Sequence, residues 1–145
     1  MNLKKNFAVI IIIFLSLSLS AQGIFYDPSK EVTIKGTIEK FFEKESRNRP
    51  NETGFHMYVI TEDNKEYFVH LGLKSFFISN NWNLKVGDIV EVVGAPIIRD
   101  NKEGFIARKV TSNDKEMVIR DESGKPLFSD SYQGKGKKQG GGWWK

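Results

Sequence analysis

The chain has 145 residues, no cysteine and a formal charge of +4. That length suggests one domain, and the missing cysteines exclude disulfides and thiolate metal sites. Lys4, Lys5 and the five lysines from Lys125 onward hold seven of the 22 cations, and Asp130 holds one of the 18 acids, which leaves 15 cations against 17 acids in residues 22–124. A body of net charge −2 lacks the concentrated positive charge from which phosphate-backbone binding draws most of its affinity.

Residues 1–21 have the layout of a secretory signal peptide. Lys4 and Lys5 precede the 13-residue apolar run FAVIIIIFLSLSL, and small residues around Ala21 follow. The run is short of the roughly 20 residues that a membrane helix needs. Export to the periplasm or beyond is therefore expected.

QGIFYDPSK is a lead-in broken by Pro28. In EVTIKGTIEKFF, Val32, Ile34 and Ile38 alternate with Thr33, Lys35, Thr37 and Glu39, the period of a strand. Gly36 falls on the apolar side, where glycine marks a bend or bulge, so a long curved first strand is predicted. EKESRNRPNETG reads as a loop. FHMYVI and EYFVHLG are two strands around the turn TEDNK. LKSFFISNNW breaks the alternation: Leu73, Phe76 and Phe77 lie at i, i+3 and i+4, one face of a short helix, with Asn80 and Asn81 suited to its end. A turn at Gly87-Asp88 leads into a strand, DIVEVVG. RDNKEG turns into FIARKV, and KEMVIRD is a late short strand.

Three strands, a helix, two strands and a late extra strand predict an all-β fold: an OB-fold-like five-stranded antiparallel barrel over residues 26–129, with the helix between strands 3 and 4. Closure also removes exposed strand edges. Residues 130–145 form a glycine- and lysine-rich tail whose composition predicts a flexible segment.

YDPSKEVTIKGTIEKF, VHLGLKSFF, LKVGDIVEVVGAP, FIARKV and VIRDESGKPLF, in that order, resemble a group of small exported bacterial OB-fold-like proteins with nucleic-acid-binding-like domains. The periplasmic OB-fold stress-tolerance proteins are a more distant likeness. The resemblance implies fold and export, and carries no catalytic residue.

The chain's two histidines lie in the predicted hairpin. If Met57 faces Val69 and Val59 faces Tyr67 on the core side, then His56 lies opposite His70 and Tyr58 opposite Phe68. All four would share the outer face of strands 2 and 3, the face on which OB-folds bind oligonucleotides and oligosaccharides. A one-residue slip would put them out of line. Three readings are open: ordinary polar surface partly covered by a loop or the tail, a recognition surface for a polymer or peptide, or a transition-metal site (copper or zinc) built on His56 and His70. Two imidazoles are too few for a closed metal site, and no third ligand stands at a telling spacing. No enzyme is expected. There is no Gly-x-Ser-x-Gly elbow, no phosphate-cradling loop followed by a helix, and the acidic pairs Glu43/Glu45 and Asp121/Glu122 sit in charged, loop-like stretches. In the tail, Lys135, Lys137, Lys138, Trp143 and Trp144 suit weak, salt-sensitive contact with an anionic envelope surface, and the alternative is a solubilising end.

Overall fold

The computed structural model describes residues 26–47, 49–99 and 101–128. The expected signal peptide and tail lie outside the described residues. The elements in chain order are a 3-10 turn at Pro28–Lys30, β1 (Val32–Glu45), β2 (Thr53–Thr61), β3 (Glu66–Leu73), α1 (Lys74–Ser79), β4 (Ile89–Arg99), β5 (Lys102–Ser112) and β6 (Lys115–Val118).

Strand order is β3-β2-β1-β4-β5-β6, and β3 also pairs with β5. All pairings are antiparallel except β3 with β5, a short parallel contact of Val69 with Phe105 and His70 with Ile106. That parallel contact closes the barrel. Closure leaves few strand edges for other chains to template on.

β1 does the work of two strands. Residues 32–37 pair with β4, and residues 36–45 pair with β2. The change of partner falls at Gly36, where a Cβ would stand 2.3 Å from the carbonyl oxygen of Ile60. Only a residue without a side chain lets β2 cross that closely, so the expected bend is real and has a steric cause. A register shift follows between Ile38 and Lys40. This bulge inverts the parity of the strand: Ile34 and Ile38 face the core, but beyond the bulge Phe41 packs against the core and Phe42 turns outward. Val32 departs from the expected apolar side. It is 52% exposed, because the first residue of β1 lies at the rim, beyond the core layer.

The core holds Ile38, Met57, Val59, Val69, Leu71, Val90, Val92, Phe105 and Val110, all but fully buried. α1 closes one end with Phe76 and Phe77, and Leu73 is buried with them, as the i, i+3, i+4 spacing predicts. Asn80 caps the helix with its side-chain amide on the Phe76 carbonyl at 2.7 Å, and Asn81 follows at φ 52°.

After β6 the chain forms a strap. Ile119 is fully buried, Asp121 accepts hydrogen bonds from Ser123 and Lys125, and Phe128 is buried against Phe76. Gly72 has φ +123°, and a Cβ there would meet the Phe128 ring at 2.5 Å, so the glycine is the seat for that ring. Arg49 donates to the Phe128 carbonyl at 3.0 Å. Phe128→Ala is expected to cost about 3 kcal/mol by leaving a cavity at this joint. Equilibrium urea unfolding would measure it, and a cost below about 1 kcal/mol would show the strap to be peripheral.

The lead-in is held by a polar lock. Arg108 on β5 forms a two-pronged pair with Glu31 (2.7 and 2.9 Å), and the Tyr26 hydroxyl donates to the same carboxylate at 2.5 Å. The Arg108 hydrogen bonds hold the Glu31 carboxyl below its usual range. Burial and the facing carboxylate push the Tyr26 hydroxyl upward. Tyr26 also covers Ala95 and Ile106, so the lead-in forms a small second core outside the barrel.

Candidate functional site

The register of β2 with β3 is the one that residue polarity requires. His56 pairs with His70, Met57 with Val69, Tyr58 with Phe68 and Val59 with Tyr67. Met57, Val59 and Val69 are buried in the barrel. A pleated strand sends alternate side chains to opposite faces, so His56, Tyr58, Phe68 and His70 share the outer one.

There they form one cluster of rings. His56 stacks on Phe68 with centroids 5.1 Å apart and planes 10° apart. His56 and His70 meet edge to face at 4.8 Å, Phe68 and His70 at 5.0 Å, and Tyr58 and Phe68 at 4.9 Å. Phe42 of β1 joins at 5.9 Å from His56 and 6.1 Å from Phe68, and is 44% exposed. The other four are half-buried. Edge-to-face and offset contacts of this kind add about 0.5–1.5 kcal/mol per pair beyond area burial, so the cluster also ties three strands together.

Two glycines shape it. A Cβ on Gly54 would stand 3.2 Å from His56 Cε1, and one on Gly104 would stand 3.0 Å from His70 Nε2. The Nε2 edge of His70 thus lies over β5, while the corresponding edge of His56 points back along β2. His56 Nδ1 lies 3.3 Å from the Phe42 carbonyl, which can only accept, so this nitrogen carries the proton. Among the described residues no group of three His, Asp or Glu side chains is placed to hold a metal ion.

Burial lowers the pKa of His70 to about 4, with further lowering from His56, Arg99 and Arg120. Burial is also the main cause of the lowered His56 value, with Lys44 and Arg99 adding to it. At neutral pH both rings are uncharged, and the positive charges around them come from Lys40, Lys44, Arg99 and Arg120. Lys40 places its ammonium 4.3 Å from the Tyr58 ring centroid. The cluster is an apolar, π-rich strip with cations around it.

Lys40, Lys44, Phe42 and Arg99 were not legible as members from sequence. Phe42 has the parity of Ile38 by simple counting, and only the bulge turns it outward. Arg99 reaches the histidines from the β4–β5 hairpin, nearly 30 residues further along the chain. Gly54 and Gly104 gave no signal of their own beyond being glycines in strands.

Strand order, closure through β3 and β5, and a helix between β3 and β4 define an OB-fold protein, here carrying an outward aromatic and histidine strip. The chain belongs to the MamS/MamX magnetosome protein family, whose model matches residues 30–117. A curated relative, the PTS system glucose-specific EIIA component of Buchnera aphidicola subsp. Acyrthosiphon pisum (strain APS), is 26% identical over 110 residues. That match covers 68% of this chain and 63% of that protein. Among solved structures, the mitochondrial single-stranded DNA binding protein Rim1 of S. cerevisiae is similar at 15% identity and a TM-score of 0.46, over 61% of this chain and 94% of that one. The N-terminal domain of PriB from Thermoanaerobacter tencongensis is similar at 16% identity and a TM-score of 0.45, over 60% of this chain and 99% of that one.

Proposed function

We propose that this MamS/MamX family member is an exported, non-catalytic binding module that holds an oligomeric ligand on the outer face of β2 and β3. The observation that carries the reading is the common placement of Tyr58, Phe68, His56 and His70, with Phe42 beside them, on one half-exposed face. Rings arranged this way offer stacking surface to a base or to the apolar face of a sugar. Lys40, Lys44 and Arg99 supply attraction for an anionic backbone without making the whole body basic. The modest charge of residues 22–124 favours a ligand recognised by its rings over one held by phosphate contacts alone. The predicted signal peptide supports the exported setting.

The test is a titration of the protein with three probes: a single-stranded oligonucleotide, a sulfated oligosaccharide and a neutral oligosaccharide. Stacking is worth about 1–3 kcal/mol per ring partner, so Tyr58→Ala with Phe68→Ala is expected to weaken the probe that binds by about 30-fold. Unchanged affinity in a variant with native far-UV circular dichroism would remove this face from the binding reaction.

A further inference from the structure

We propose that the cavity between the α1–β4 loop and the β5–β6 turn binds a monosaccharide acid, one sugar ring carrying a carboxylate. The site shares no residue with the strip on β2 and β3 and does not rest on the ligand reading of that strip.

The first observation is a preformed space. The cavity has a volume of about 240 Å³, with residues 82–85 and 88 on one side and 112, 113 and 115 on the other. Sites for drug-sized ligands run to about 300–1,000 Å³, so this one suits a single ring rather than a polymer. Both walls are pinned. In the loop, the Trp82 N–H donates to the Phe77 carbonyl at 3.0 Å and the Lys85 N–H to Asp88 Oδ2 at 2.9 Å. The Gly87 N–H donates to the Ile38 carbonyl at 2.8 Å, and the Asp88 carbonyl accepts from the Ile38 N–H at 2.9 Å. In the turn, Asn113 and Asp114 have φ of 51° and 62°, the pattern of a tight type I′ hairpin. The Ser112 hydroxyl donates to the Ile89 carbonyl at 3.0 Å and joins the two walls. Binding therefore does not have to order the loops.

The second observation is charge. Lys85 and Lys115 both line the cavity, and neither ammonium has a carboxylate partner among the described residues. Asp88 is the one carboxylate of the lining, and its Oδ2 already accepts from the Lys85 N–H. Asp114 stands in the turn but not in the lining. Two positive charges against one negative suit a monoanion. A carboxylate is one, whereas a phosphate monoester carries about −1.5 to −2.

The third is the remaining lining. Asn83 and Asn113 offer amides that both donate and accept, which is what sugar hydroxyls need. Trp82 and Leu84, partly buried against the core, give an apolar wall for the C–H face of a ring. The Trp82 indole N–H is buried and has no acceptor among the described residues, and buried donors rarely go without one. An oxygen-rich ligand supplies an acceptor to this wall.

The test is an NMR titration of the protein, read at the Trp82 indole N–H signal, which is assigned by its loss in Trp82→Phe. Glucuronate is the probe, with glucose, glucose 6-phosphate and benzoate as comparisons. Glucuronate is expected to shift the signal saturably below about 10 mM, and more tightly than any of the other three. Lys85→Gln with Lys115→Gln, both at exposed positions, is expected to weaken glucuronate about tenfold. Asn113→Gly keeps the positive-φ turn, removes the amide and is expected to weaken it about threefold. Phe42→Ala, on the separate strip, is expected to leave the affinity unchanged. A glucuronate titration without saturation would overturn the proposal. So would equal or tighter binding of any comparison compound, or affinity indifferent to the two lysine changes. Loss of binding in Phe42→Ala would move the ligand to the strip and overturn it as well.

Discussion

Gly36→Ala is expected to destabilise the protein by about 3 kcal/mol or to prevent folding. The new methyl carbon would lie 2.3 Å from the Ile60 oxygen, 2.8 Å from the Ile60 carbonyl carbon and 2.8 Å from Val59 Cγ1. Two of those three atoms are backbone in a paired strand and cannot rotate away. Relief requires β1 and β2 to separate where β1 changes partner, and overpacking of this kind costs about 1–3 kcal/mol even where side chains can adjust. Thr37→Ala, one residue on and exposed, is the control, with an expected effect within about 1 kcal/mol. Urea unfolding of both variants measures the difference. A Gly36→Ala protein as stable as the control would mean that the strand corner is loose and that the bend has another cause.

Acid is expected to weaken the fold above the pH at which carboxylates titrate. An unfolded histidine takes up its proton near pH 6.5, whereas burial lowers the folded His70 to about 4. Between those values the unfolded chain binds more protons than the folded one, so stability falls as pH drops from 6.5 towards 4 and is unaffected by His70 below that. Because the ring keeps some contact with solvent, the loss is discounted to about 2 kcal/mol. His56 shifts in the same direction and adds to the loss. Glu31, held low by Arg108, contributes stability that is present above its usual carboxylate range and lost as pH falls through its folded value. His70→Gln separates the two effects. It is expected to make the stability profile between pH 6.5 and about 4.5 shallower, leaving the share due to His56, and to keep the steeper acid loss beneath it. A profile that is flat over that upper window in the unsubstituted protein would show that His70 titrates normally and that the strip is better hydrated than its packing implies. The same neutral rings matter for the proposed recognition, because two imidazolium charges among Arg99, Lys44 and Arg120 would repel one another and disturb the Phe68 stack.

The chain belongs to the MamS/MamX magnetosome protein family, and the aromatic and histidine strip lies on β2 and β3 of its OB-fold-like domain. In the proposed reading, stability and recognition share residues there. Phe68 contacts His56, Tyr58, His70 and Phe42, so its removal costs packing as well as the proposed ligand contact. Phe42 is the cleaner probe of binding because it stands at the strip's exposed margin.

Residue polarity alone determined the strand order along the chain, the helix between β3 and β4, and the pairing of His56 with His70 and Tyr58 with Phe68. The reason is physical: a half-buried hairpin has one register that buries Met57, Val59 and Val69 together, and a slip of one residue would expose them all. Alternation says which face a residue is on only while the strand stays regular. The bulge between Ile38 and Lys40 resets that count, and Phe42 became part of the strip through it. Arg99, the glycine seats at Gly54 and Gly104, and the Phe128 ring over Gly72 come from segments distant in sequence, brought together when β3 meets β5 and the strap folds across. Local patterning carries no information about such approaches, because they depend on how sheets curve and close, and only the tertiary structure decided them.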